Sequence, residues 1–156
     1  MKLPYLIAEI GVNFFDTAKV EKISPLEAAK KYIQEAKRSG ANAVKFQAYK
    51  ANTLASKYSP AYWDTSKETT KSQFELFSKF DSFGQSEFEE LSRYAHSIGV
   101  DFLCTPFDLD SVDYLSPLCN IFKISSSDLS NLNFIRYIAK KQKPIYLSVG
   151  ASYLSE

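Results

Sequence analysis

Histidine occurs once in the 156 residues, at position 96, and cysteine twice, at 104 and 119. With so little imidazole and thiol, and no CxxC pair, the chain carries neither a zinc-finger ligand set nor a disulfide framework. The two cysteines read as reduced, partly buried thiols of a cytoplasmic protein. Glycine is also scarce, and its five copies form no GxGxxG after the first β-rich stretch, which counts against a dinucleotide fold. An excess of one charge sign is missing too: 19 Lys and Arg face 18 Asp and Glu, for a formal net charge of +1. That balance gives no electrostatic reason to expect nucleic acid or a membrane as partner. No apolar run approaches a membrane span, and the N-terminal MKLPYLIAEIGV is too short in its apolar part for a signal peptide and is interrupted by Glu9.

Aromatic residues, by contrast, are plentiful, with 12 Phe and 10 Tyr in a chain long enough for one domain with a sizeable core. Apolar runs and helical grammar alternate along it. PYLIAEIGVN reads as a strand, and SPLEAAKKYIQEAKRSG as a helix with Ser24 as N-cap, Pro25 at its first position, Glu27 closing a capping box and Gly40 ending it. NAVKFQAY is a second strand, and QFELFSKF a short helix after a polar stretch. SEFEELSRYAHSIG repeats the capping grammar, with Ser86 as the expected cap and Glu89 answering it. DFLCTPF, IFKISSS and PIYLSVG are three more strands, separated by the helices DLDSVDYLSPL and NLNFIRYIAKKQK. Strict alternation of this kind predicts parallel strands joined by helical crossovers. An open doubly wound sheet and part of a (β/α)8 barrel both satisfy it.

The polar residues gather at the same end of each strand: Glu9 on the first, Lys45 and Gln47 on the second, Thr105 on the third, Lys123 with Ser125, Ser126 and Ser127 on the fourth, and Ser148 on the fifth. In parallel α/β folds the carboxyl ends of the strands form the ligand-binding rim. Two ammonium groups among hydroxyls suit an anion such as a phosphate or carboxylate. Plainer readings stand beside this one. Lys45 and Glu9 can form an internal ion pair, the three serines can form a turn with local backbone bonds, and Thr105 before Pro106 can be a simple strand exit. His96 reads as structural, Phe14, Phe15 and Trp63 as packing, and Asp108, Asp110 and Asp113 as helix-start charges.

Six motifs in order, IAEIGVN, GANAVKFQAYK, SQFELF, GVDFLCTPFD, FKISSSDLSNL and KPIYLSVGAS, resemble the N-terminal barrel of the sialic acid synthase family. That family includes the N-acetylneuraminate, legionaminate and pseudaminate synthases and the spore coat polysaccharide synthesis protein E. The resemblance implies an α/β fold, a (β/α)8 TIM barrel of which residues 1–156 supply about the first five β/α units. It places the remaining barrel strands and a small antifreeze-like domain outside them. It implies condensation of phosphoenolpyruvate with an N-acetylated hexosamine, such as N-acetylmannosamine, to a nine-carbon 2-keto sugar acid and phosphate. Glu9, Lys45 and Lys123 then match catalytic positions, and Gln47, Thr105, Ser126, Asp128 and Ser148 match substrate-binding ones. A divalent metal, Mn²⁺ or Mg²⁺, is expected for the complete enzyme, with ligands in later strands and none in this chain, and the complete enzyme is expected to be a homodimer. A phosphate- or sugar-binding remnant, or an inactive truncation, is the alternative. Four departures from the family pattern stand out: Asn13 is followed by Phe14, Phe15 and Asp16 where many members read N-H-N-G, the loop up to Ser24 is longer than the common pattern, Ser127 replaces a frequent glycine, and Val149 stands where LSTG has threonine.

Overall fold

Alternation of side chains explains how the second strand, β2 (Ala43–Ala48), is held. Val44, Phe46 and Ala48 are fully buried in the main hydrophobic cluster, while Lys45 and Gln47 between them point to the opposite face. In the computed structural model, which describes residues 4–153, β2 is the middle of a parallel ladder with β1 (Ile7–Gly11) and β3 (Asp101–Pro106). The register aligns Glu9 with Lys45 and Lys45 with Leu103, and further along Gln47 with Thr105. Beside β3 lies a second parallel ladder of β4 (Phe122–Ile124) and β5 (Ile145–Leu147), which pairs Lys123 with Tyr146. The described residues therefore form an α/β architecture with one three-stranded and one two-stranded parallel sheet.

Helices cover the face that carries Ile10, Val44, Phe46, Phe102, Cys104, Phe122 and Ile124. The helix α2 (Pro25–Arg38) starts as its sequence dictates: the Ser24 hydroxyl accepts from the Glu27 N–H at 3.1 Å, and the Glu27 carboxylate accepts from the Ser24 N–H at 2.9 Å. It buries Ala28, Ala29 and Ile33 against the sheet. Helix α5 (Gln85–Ser97) contributes Phe88, Leu91 and Ala95, α6 (Leu109–Leu115) Val112 and Leu115, and α7 (Leu132–Ala139) Phe134 and Ile138. Each large apolar side chain so buried contributes about 1.5–3 kcal/mol. Among the described residues, no helix is long and apolar enough to cross a membrane.

Three features differ from the sequence expectation. Residues 14–21 form a helix, α1 (Phe14–Glu21), where a loop was expected up to Ser24; Phe14 enters the core and Lys22 ends the helix in the left-handed region. A one-turn helix, α3 (Ala51–Leu54), precedes the expected α4 (Gln73–Ser78). Ser86 does not cap α5. The N-cap lies two residues earlier, at Gly84, whose N–H donates to the Glu87 carboxylate at 2.8 Å, while Glu89 accepts from the Gln85 amide instead.

Candidate active site

Glu9, Lys45, Gln47, Thr105 and Lys123 alternate along their strands with residues of the main hydrophobic cluster and so face away from it. Lys45 forms an ion pair with Glu9 on the neighbouring strand and donates to the Thr105 hydroxyl at 3.4 Å. The internal pair read as an alternative from sequence is thus present, and it is asymmetric: the Lys45 side chain is 12% exposed and that of Glu9 52%. Thr105 is buried and serves as more than a strand exit. Gly11, in the left-handed region, closes β1 beside this group: a Cβ there would sit 3.6 Å from both the Gln47 amide nitrogen and Glu9 Oε1. Glu9 and Gln47 therefore converge over one glycine.

Lys123 occupies the same face on β4. Its ammonium is half-buried and donates to the Ile124 carbonyl at 2.7 Å. Burial and the nearby charge of Lys45 hold its proton affinity below the usual lysine range, against a smaller opposing pull from Glu9. Two lysines on strands separated by β3 thus share one electrostatic environment. The lysine interrupting IFKIS faces away from the core that Phe122 and Ile124 enter.

Beyond β4 the serines form a local turn, as the plainer reading allowed. A 3-10 turn spans Ser126–Asp128; the Ser125 hydroxyl accepts from the Ser127 N–H at 3.3 Å and its carbonyl from the Asp128 N–H at 3.1 Å. The turn nevertheless lines a cavity. Ser126 borders a cleft of about 410 Å³ with Leu129, Ser130, Leu132, Gly150 and Ser152, and its hydroxyl lies 3.5 Å from where a Cβ on Gly150 would be. Ser148 precedes that wall by two residues, held by its N–H on the Ile124 carbonyl at 3.1 Å. In Asp128, one carboxylate oxygen is buried with no hydrogen-bond partner among the described residues, and burial pushes its pKa above the usual carboxylate range.

The remaining candidates fall where packing explains them. Phe14 lies against Phe46 and Phe83, and Phe15 against Phe80 and Phe83. Trp63 donates its indole N–H to the Glu68 carbonyl at 3.2 Å. His96 is exposed in the last turn of α5. Asp108 caps α6 by accepting from the Ser111 N–H at 2.7 Å, and Asp110 lies in its first turn. Asp113 does not act at the helix start: it accepts from the Tyr137 hydroxyl and from Lys141, tying α6 to α7. Sequence reasoning did not foresee Gly11, Gly150 and Ser152 as walls of the site. Only Gly11, closing an apolar strand, carried a signal that points that way.

A model of the NeuB family matches residues 32–156. The N,N'-diacetyllegionaminic acid synthase of Campylobacter jejuni is 39% identical over 159 aligned positions, covering 100% of this chain and 45% of that protein. The crystal structure of the N-acetylneuraminic acid synthetase of Leptospira borgpetersenii, in complex with citrate, superposes with a TM-score of 0.76 at 26% identity, over 99% of this chain and 47% of that one. The spore coat polysaccharide biosynthesis protein SpsE of Bacillus subtilis superposes with a TM-score of 0.70 at 27% identity, over 99% and 38%. The chain thus spans less than half the length of these relatives.

Proposed function

The chain belongs to the NeuB family, and from that premise we propose that it forms the N-terminal β/α units of a (β/α)8 barrel synthase. That synthase condenses phosphoenolpyruvate with an N-acetylated hexosamine, N-acetylmannosamine or a related amino sugar, to a nine-carbon 2-keto sugar acid and phosphate. One observation supports this reading above the others: Lys45 and Lys123 sit on the same face of parallel strands, the charge of Lys45 acts on the half-buried Lys123, and the Thr105 hydroxyl lies beside Lys45.

Phosphoenolpyruvate carries a carboxylate and a phosphate, so it offers two anionic ends to two ammonium groups. An ammonium has three N–H bonds. Those of Lys45 reach Glu9 and Thr105, leaving one for the ligand; Lys123 spends one on Ile124 and keeps two. Ser126 and Ser148 supply hydroxyls for the phosphate end, and Glu9, Gln47 and Asp128 face the sugar. C3 of phosphoenolpyruvate forms the new bond to the open-chain sugar aldehyde. Water then adds to C2, and the C2–O bond to phosphate breaks. Both lysines stabilise negative charge carried on the ligand around C2 in that sequence.

A divalent cation, Mn²⁺ or Mg²⁺, belongs to the same proposal for the whole protein and would polarise the sugar carbonyl. Among the described residues no three His, Cys, Asp or Glu side chains gather to hold one, and no step above runs through it. A homodimeric, cytoplasmic assembly is likewise part of the proposal for the whole protein. The test is phosphate release from phosphoenolpyruvate, N-acetylmannosamine and Mn²⁺ by the chain, with a C-terminal barrel half from the Campylobacter relative supplied in trans. Release that needs both halves and the sugar is expected. Binding of phosphoenolpyruvate with no release under any sugar would leave a binding module and overturn the enzymatic reading.

A further inference from the structure

Seven of the sixteen lysines in this chain are held by a carboxylate or by two backbone carbonyls. Lys30, Lys31, Lys79 and Lys141 pair with carboxylates, as does Lys45. Lys50 and Lys143 each place their ammonium on two backbone carbonyls. Lys123 differs. It is half-buried, it makes one bond to a carbonyl, and among the described residues no carboxylate lies within ion-pair distance of it. Its surroundings on the same face are Lys45 from β2, Glu9 from β1, the apolar Leu103 from β3 and its register partner Tyr146 from β5, with Asp128 on the turn that follows. Glu9 is committed to Lys45, so among the described residues Lys123 is left without an ion-pair partner of its own.

A desolvated lysine beside a second cation is the arrangement that activates an amine as a nucleophile. We propose that Lys123 is a carbonyl-reactive amine that forms an imine with 2-keto acids, whose carboxylate Lys45 receives. The ligand class follows from the pair: an electrophilic carbon for one lysine, and an anion attached directly to that carbon for the other. Lys45 has an N–H left for it after Glu9 and Thr105. The neutral amine and the keto acid combine with loss of one water, the two amine hydrogens leaving with the carbonyl oxygen, and nothing is oxidised or reduced. Burial and Lys45 favour the neutral amine that this step requires. The condensation proposed above makes no use of this reactivity, which needs only residues of this chain.

The experiment treats the chain with pyruvate and sodium cyanoborohydride, which reduces an imine to a stable amine, and maps the adducts by peptide mass spectrometry. The adduct is expected at Lys123, formed at least about tenfold faster than at the exposed Lys140 of the same molecules, and suppressed by inorganic phosphate. In Lys45→Met the rate at Lys123 is expected to fall several-fold at neutral pH, because without the neighbouring cation Lys123 holds its proton more firmly and the carboxylate loses its partner. Adducts spread evenly over exposed lysines, or none at Lys123, overturn the proposal. An unchanged rate in Lys45→Met overturns the role given to Lys45. Mapping on the unsubstituted chain does not depend on any variant folding, and absence of phosphate release in the synthase assay leaves this result untouched.

Discussion

Lys45 and Lys123 stand on strands separated by β3 and face away from the main hydrophobic cluster, and burial together with the charge of Lys45 lowers the proton affinity of Lys123. Like charges are placed together in a folded chain at a cost, and the cost is sensible where a doubly charged ligand removes it. Among the described residues, only Lys45 of the two has a protein counter-ion, Glu9.

Lys123 therefore weighs against stability at neutral pH. Its folded proton affinity lies below the unfolded one, so the unfolded chain binds more protons between the two values, and stability rises as pH climbs through that window. Lys123→Met is expected to raise the melting temperature at pH 7 while weakening anion binding, with the gain shrinking toward pH 10 and above. A melting temperature that falls at pH 7 contradicts the placement.

Glu68 gives the opposite sign. Lys79, together with the N–H and hydroxyl of Thr70, pulls its carboxyl down to about 2 from 4.5. The stabilisation is complete above the unfolded value and is lost as pH falls toward 2. Since Glu68 also anchors Trp63 through its carbonyl, the loss is expected in the segment between Ser59 and Gln73, whose ends are joined by the Pro60–Ser72 bridge. Limited proteolysis there is expected to accelerate between pH 4.5 and 2, and to be faster already at pH 7 in Glu68→Gln.

Asp108 joins two elements at the exit of β3. It caps α6 through the Ser111 N–H and accepts from the Thr53 hydroxyl at 2.9 Å. Asp108→Ala is expected to cost about 1 kcal/mol, and Asp108→Asn a fraction of that, by urea denaturation. Equal losses in both variants would speak against a capping role.

Phe46 ties the β1–α1 junction to the centre of the sheet. Fully buried, it lies 5.8 Å from Phe14 and stacks at 5.7 Å on Phe102. Phe46→Ala is expected to cost about 3–5 kcal/mol, enough to unfold a domain of this size or to send it into aggregates. A loss under 1 kcal/mol would show that the aromatic cluster collapses into the hole.

How much of this was legible in the residues depends on how many signals each element carries. The start of α2 carries serine, proline and glutamate at the right spacing, and folds as read. The helix α1 carries none of them: Asn13 makes no side-chain cap, and its end is a left-handed lysine rather than a glycine. Tertiary packing of Phe14 holds it instead, and packing partners so far along the chain as Phe83 are invisible to local pattern. The cap of α5 was misread because SEFE imitates the capping grammar that Gly84 and Glu87 fulfil through a backbone N–H. In the site, the alternation K-F-Q and F-K-I placed Lys45, Gln47 and Lys123 off the core face from sequence alone. The Glu9 pair and the Thr105 bond depend on strand register, which local sequence leaves open, and the cleft beside Ser126 depends on a loop more than twenty residues further along.

The shared anion is tested most directly by calorimetric titration of phosphoenolpyruvate into the chain and its Lys45→Met and Lys123→Met variants. One ligand per chain is expected, weakened about tenfold or more by either substitution, as loss of a charge-assisted bond requires. Binding that is absent in the unsubstituted chain, or unchanged when either ammonium is removed, would contradict the account.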